Sequence, residues 1–413
     1  MEEDQCLPIE LHIDEAFAES CVDEICLARE IQEAWCNYGR WRTINVRVLS
    51  HVPCNFGPML KTEGIKKMIQ YIRVLDLVEA DIEESDVANL TRAIPDLKEL
   101  QFQSKTFEGT NDILDSLQNS TSLERLSVVR SAKTEIHMMG LIGQGIARIV
   151  NLTEIELDLC GCEDEAMSIL TDSLLGLEGG KLQSLTLTYS GYGSQISQQS
   201  LPNLSRLVNG MRSSSATLKL SLQDVPTLFS SVTEQLKYFM ASLEENPPLE
   251  LFVGDVGLKP DSIAMLCAVG ARMQAHDSEL GLMEDGLLDS ENLKMVVEKI
   301  PYIKARNLTL YDKNSKPIWS EEQQDMLLAA THRNSALFHL DCHFGRIGDD
   351  FPNRQFLKDC LDPIFERNKC MDLARIDSQK DIPLCLWPKV LEIFGQEQHW
   401  AAPTFLFLLS QSW

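Results

Sequence analysis

The chain has 413 residues, 44% of them apolar, with 62 acidic against 37 basic side chains and a formal net charge of -25. That balance repels phosphate backbones and anionic membrane surfaces, which argues against nucleic acid and membrane as partners and in favour of a basic one. No run approaches the roughly 20 apolar residues of a membrane span, and Met1-Glu2-Glu3-Asp4-Gln5 has neither the basic nor the apolar part of a signal peptide.

The first 40 residues hold 11 acidic side chains and two basic ones, Arg29 and Arg40, and so carry nine of the 25 excess charges. Within them Leu11, Ile13, Phe17, Val22, Ile25, Leu27 and Ile31 suit the inner side of a helical N-terminal cap with an acidic exterior, expected over residues 1–40. From Val46 a short alternating motif begins: Val46-Arg-Val48, Leu75-Asp-Leu77, Leu100-Gln-Phe102, Leu126-Ser-Val128 and Ile155-Glu-Leu157. It continues as Leu185-Thr-Leu187, Leu220-Ser-Leu222, Leu251-Phe-Val253, Leu280-Gly-Leu282, Leu308-Thr-Leu310 and Phe338-His-Leu340, with a weaker copy at Leu373. The period of two marks strands with one buried face. Successive copies lie 25 to 35 residues apart, a regularity that sets aside a doubly wound sheet.

Between the strands the period becomes helical. Met167, Leu170 and Leu174 share one helix face, as do Leu236, Phe239, Met240 and Leu243, and then Leu293, Val296, Val297 and Ile300. Helix starts are expected at Ser85-Asp86, before Val87 and Leu90, and at Ser290. Ser320 with Gln323 forms a capping-box pattern.

Leu97, Leu123, Leu152 and Leu182 each precede a strand anchor by three residues, so the unit reads Leu-x-x-Leu-x-Leu. This resembles the leucine-rich repeat, and the spacing is similar to the ribonuclease-inhibitor-like type. The implied fold is an α/β solenoid, a horseshoe with a parallel sheet on the concave face and helices on the convex face. Residues 41–378 would hold about 11–12 copies of roughly 30 residues, one array without an internal linker. The position five residues after the anchor, which in such repeats bonds the neighbouring turn, is Cys160 in one copy and Ser131 or Ser190 in two others. Elsewhere it is Ala80, Lys105, Val225 or Val256, so irregular turns are expected.

After the last strand, Ile382-Pro383-Leu384-Cys385-Leu386-Trp387-Pro388 and the apolar Phe405-Leu406-Phe407-Leu408-Leu409 resemble the C-terminal end of intracellular leucine-rich-repeat proteins of diatoms. Phe365-Glu-Arg-Asn-Lys369 is a looser match. The resemblance implies an interaction role. Residues 379–413 read as a helical C-terminal cap, with Trp387, Phe394 and Phe405 covering the end of the array.

Three stretches carry residues of possible chemistry. His339-Leu-Asp341-Cys342-His343 puts His339, Asp341 and His343 on one strand face, yet the sequence marks no fourth ligand, and no metal is expected. Cys160-Gly-Cys162 is too closely spaced for a thioredoxin-like pair. Glu163-Asp164-Glu165 lacks a calcium-loop glycine and suits a helix N-terminus. The 12 cysteines include no Cys-x-x-Cys pair and are expected as reduced, buried thiols in cytoplasm or nucleus. Asn151 and Asn307 are in glycosylation-type sequences but open predicted strands, where a glycan would not fit. No phosphate loop or hydrolase signature is found, and neither enzyme activity nor a cofactor is expected.

The candidate site is therefore a surface. Residues one before, one after and three after each anchor fall on the concave side. Those positions hold eight acidic residues, Asp76, Glu99, Glu154, Glu156, Asp158, Glu250, Glu279 and Asp341, and three basic ones, Arg47, Arg125 and Lys219. Towards the C-terminal half the face gains Phe252, Met283, Tyr311, Leu337 and His339. The expectation is a non-catalytic, monomeric scaffold that binds a protein with a basic segment. Activation of a small GTPase is the competing reading, since some proteins of this repeat type act so.

Overall fold

The computed structural model describes Ile9–Ile13, Arg29, Glu33, Ile44–Val48 and residues 69–369, apart from 79–81, 105, 131–137, 160–161, 178–180, 190–195, 215, 224, 230, 255, 276, 289, 313–318, 345–355 and 367. Cys160, Ser131, Ser190, Ala80, Lys105, the copy at Leu373 and the C-terminal cap lie outside the described residues. The chain divides into two compact units, Met1–Pro248 and Leu249–Trp413, at a point where the repeat pattern suggests no boundary.

The first unit contains β1 (Ile9–Ile13), β2 (Ile44–Val48), β3 (Ile72–Asp76), β4 (Glu99–Ser104), β5 (Arg125–Arg130), β6 (Glu154–Asp158), β7 (Ser184–Tyr189) and β8 (Thr217–Gln223). Each is parallel to the next in chain order. Its longer helices are α1 (Glu84–Ala93), α2 (Phe107–Leu117), α3 (Met138–Ile146), α4 (Asp164–Leu175), α5 (Leu201–Ser214) and α6 (Glu234–Glu245), each after the first packed on its predecessor. The second unit repeats the plan with β9 (Glu250–Gly254), β10 (Glu279–Met283), β11 (Asn307–Asp312) and β12 (His339–Phe344), alternating with α7 (Pro260–Gly270), α8 (Ser290–Lys299) and α9 (Glu321–Arg333). Each unit is an α/β leucine-rich-repeat solenoid.

Register follows the leucines. In the first unit Leu11, Val46, Leu75, Leu100, Leu126, Ile155, Leu185 and Leu218 form one row across the strands. In the second, Leu251, Leu280, Leu308 and Leu340 do the same. From Leu75 onward these side chains are at most 5% exposed, whereas their neighbours on either side are half-exposed at most positions. At about 1.5–3 kcal/mol for each fully buried leucine, the inward row holds the stack together. The buried side meets the helices: the Tyr189 hydroxyl on β7 donates to Met167 Sδ on α4 at 2.9 Å.

Three expectations need correction. Ile9–Ile13, placed in a helical cap, is a strand whose Leu11 pairs with Val46. The anchor of the seventh copy is Leu218 rather than Leu220, and that of the eleventh is Leu340 rather than Phe338. The reason is the backbone bond at the strand entry. The carbonyl two residues before each anchor accepts from the next repeat, as Glu124 does from Thr153 and Glu154, and Ser278 from Arg306 and Asn307. Arg306 in turn accepts from Phe338 and His339, which makes Phe338 an entry residue. A two-residue shift preserves the parity of the faces.

The helix signals mostly hold. Leu236, Phe239, Met240 and Leu243 are buried on α6, and Met167, Leu170 and Leu174 on α4. Ser320 and Gln323 exchange both capping-box bonds, at 3.2 and 2.8 Å. α1 starts earlier than expected, with Glu83 as N-cap and Ser85 and Asp86 inside its first turn. Cys162, Cys267 and Cys342 are buried free thiols. Burial pushes the Cys267 thiol up to about 12, and Cys342 is raised as well, so both stay protonated and unreactive at neutral pH.

Candidate partner-binding face

Alternation along the strands turns every second side chain away from the helices, onto an open face in each unit. In the first unit Asp76, Glu99, Glu154, Glu156 and Asp158 all stand on that face, as the parity argument requires. They do not stand alone. The Arg47 guanidinium on β2 lies 3.8 Å from Asp76 and 3.9 Å from Glu99. Arg125 on β5 reaches Glu99 at 3.5 Å, Glu154 at 3.6 Å and Glu156 at 3.9 Å. Four of these carboxylates are thus threaded by two guanidiniums, and the remaining excess is negative. Glu154 and Glu156 keep 47% and 41% of their side-chain surface exposed, so they are hydrated. On β7 the next strand offers Ser184, Thr186 and Thr188, and β8 offers Thr217, Lys219, Ser221 and Gln223.

In the second unit the open face has three cross-strand rows. Glu250, Glu279, Asn307 and His339 form one; Phe252, Gly281, Thr309 and Asp341 the next; Gly254, Met283, Tyr311 and His343 the third. The glycines make room for the large side chains beside them. A Cβ on Gly281 would overlap the Phe252 ring, and one on Gly254 would overlap Met283. Phe252 and Tyr311 are half-exposed, whereas Met283, expected to be exposed, is only 9% accessible because it folds over Gly254. Leu337, also expected on this face, is fully buried: with Leu340 as anchor it occupies the leading leucine position of its repeat. The Thr309 hydroxyl donates to Glu279 at 3.1 Å and fixes that carboxylate.

His339, Asp341 and His343 do share a face. Asp341 Oδ2 lies 3.0 Å from His343 Nε2 and 3.8 Å from His339 Nε2, and Tyr311 packs against the His343 ring with centroids 5.9 Å apart. The neighbouring Asp341 carboxylate raises the pKa of His339 against the opposing effect of partial burial, and His339 in turn holds Asp341 below its ordinary value. Among the described residues no group of three His, Cys, Asp or Glu side chains is placed to hold a metal ion, and no helix is long and apolar enough to cross a membrane.

Several acidic residues serve the scaffold instead of the face. Glu84 at the start of α1 is buried and accepts from the Thr106 backbone at 2.9 Å, the Thr106 hydroxyl, and the Thr110 hydroxyl at 2.9 Å. Asp164, from the acidic run before α4, accepts from the Ser197 backbone at 2.9 Å and from the Ser197 and Ser200 hydroxyls. Glu284 accepts from Leu258 N, and Asp312 from Gly286 N and Leu288 N. Asparagines do similar work on the other side of the repeat. Asn334 donates to the Ile300 and Ile303 carbonyls, and Asn368 donates to those of Asn334 and Leu337. The sequence reading missed this second set; its signal is two asparagines 34 residues apart at the ends of repeats.

No family model matches the sequence, and no curated protein does. Similar solved structures include the leucine-rich repeat-containing protein LegL7 from Legionella pneumophila. It is 15% identical, with a TM-score of 0.40 over 67% of this chain and 86% of its own.

Proposed function

We propose that the protein is a non-catalytic binding module that holds a partner protein with a basic segment on the open face of the sheet. The observation that carries this reading is the set of half-exposed carboxylates Glu154, Glu156 and Asp158 on β6. They alternate with buried Ile155, Leu157 and Leu159, so their charges can change without disturbing the core. Carboxylates in this position contribute little to stability, whereas a cluster of them steers a basic partner into encounter. The test is charge reversal of all three to Lys. Partners captured by the parent protein and identified by mass spectrometry should bind the variant more weakly, chiefly through a slower association rate, while its melting temperature stays within about 2 °C. Unchanged association kinetics for every captured partner would remove this face from consideration.

A further inference from the structure

On β12 of the second unit two imidazoles flank one carboxylate, and we propose that this group is a proton-operated switch on the binding face. When protonated, it cancels two of the three negative charges that the open face of this unit presents to a basic partner. This deepens the proposed function, resting on its reading of the open face as the binding surface. His339, Asp341 and His343 alternate along β12 and so stand on one side of the sheet. Asp341 Oδ2 is common to both contacts, 3.0 Å from His343 Nε2 and 3.8 Å from His339 Nε2. In chain order the three side chains keep 55%, 43% and 49% of their surface in solvent, so protons exchange freely with water.

Charge sets the size of the effect. The open-face positions of β9 to β12 hold three carboxylates, Glu250, Glu279 and Asp341, two imidazoles, and no lysine or arginine, a formal charge of -3 with both rings neutral and -1 with both protonated. Histidine is the side chain whose charge ordinarily changes between about pH 5 and 8. The geometry allows the change without rearrangement. A neutral ring can already point its Nε2–H at the carboxylate, and the added proton then enters at Nδ1 and leaves the contact in place. The β11 residues beside the group, Asn307, Thr309 and Tyr311, bring no cation, and Tyr311 packs on the His343 ring. The Asp341 carboxylate raises the pKa of His339 and partial burial opposes it; from the segment after β12, Asp362 favours the protonated ring and Lys369 disfavours it. His339 therefore gains its charge earlier than an ordinary histidine as the pH falls.

The test uses the full chain with labelled histidines and, as probe, a blocked hexalysine peptide, whose charge is constant from about pH 5.5 to about pH 8. NMR titration in about 0.01 M salt, where the Debye length is about 30 Å, reads binding at the amides of β9–β12. Affinity there should fall about threefold to tenfold from the upper pH to the lower, the range that two exposed charges support. Replacing both rings, His339→Gln with His343→Gln, leaves six of the eight histidines in place and should flatten the dependence to within about twofold. Asp341→Asn should move the His339 imidazole midpoint down, which loss of a merely structural aspartate would not do. The β6 charge-reversal variant should keep the full pH dependence at β9–β12. Equal pH dependence in the parent and the double variant, a His339 midpoint indifferent to Asp341→Asn, or binding that tightens as the pH falls would overturn the switch. Peptide binding at β9–β12 that ignores pH sinks the switch and leaves the basic-partner reading standing. No binding there at any pH removes that reading from the second unit and the switch with it.

Discussion

A carboxylate at the turn between strand and helix can do what an asparagine or cysteine does in more regular repeats, and here it does so at Glu84, Asp164, Glu284 and Asp312. The ladder position itself is irregular, and the turns would leave backbone donors unsatisfied without a substitute acceptor. At Glu84 the arrangement is layered. The carboxylate accepts from the Thr106 hydroxyl, and Thr106 in turn caps α2 by accepting from Gly109 N at 3.1 Å. Gly109 lacks the Cβ that would collide with Glu84. Glu84→Gln retains the size but offers one acceptor oxygen where three donors converge, and it turns an amide donor towards them. The expected loss is about 1–3 kcal/mol, read as a drop in the denaturation midpoint at constant m-value. A change under about 0.5 kcal/mol would mean that water replaces the carboxylate at no cost. Some of the acidity of this chain is therefore structural, which the net charge alone does not reveal.

At the scale of elements, α3 shows packing overruling propensity. Its sequence, Met138–Ile146, contains three glycines, each costing roughly 0.5–1 kcal/mol relative to alanine in a helix. Two of them face neighbours on either side. A Cβ on Gly145 would stand 2.7 Å from Leu114 Cδ1 of α2, and one on Gly143 would stand 3.1 Å from the Cα of Leu170 on α4. Backbone cannot swing aside as a side-chain tip can. Gly143→Ala should therefore lower stability, by about 1–3 kcal/mol of strain less the helix-propensity gain. A more stable variant would show that α3 and α4 separate easily. The same contest explains what the sequence disclosed. Strands at Leu75, Leu100 and Leu126 were legible because leucine alternates with polar residues at a steady interval. β8 was ambiguous because Leu218, Leu220 and Leu222 offer three equivalent anchors, and only the entry hydrogen bonds choose among them. Ile9-Glu-Leu11-His-Ile13 alternates just as well, but its acidic surroundings favoured a helical reading. For the candidate face, parity assigned nearly every side chain to the correct side. It could not show that Arg47 and Arg125 reach across strands, or that Met283 folds over a glycine, because those depend on contacts between repeats.

For the molecule as a whole, charge acts in two opposite directions, and salt separates them. A formal charge of -25 on 413 residues is self-repulsive in the compact state. The ion pairs of Arg47 and Arg125 span 3.5–3.9 Å, well inside the screening length at any ordinary ionic strength. The excess carboxylates act over longer distances, and those interactions fade as the Debye length falls from about 30 Å at 0.01 M salt to about 8 Å at 0.15 M. Salt therefore weakens repulsion more than it weakens the short pairs, and the melting temperature should rise by about 2–4 °C over that range. Binding of a basic partner should respond with the opposite sign, since the attraction that speeds its approach is long-ranged too. Association rates should fall across the same buffers, and the β6 charge-reversal variant should show a flatter salt dependence. Calorimetry and surface-plasmon kinetics in one buffer series measure both. A melting temperature that falls with salt would mean that the guanidinium-threaded ladder outweighs the surplus charge. The carboxylates of the open face would then be held for the fold and not for a partner.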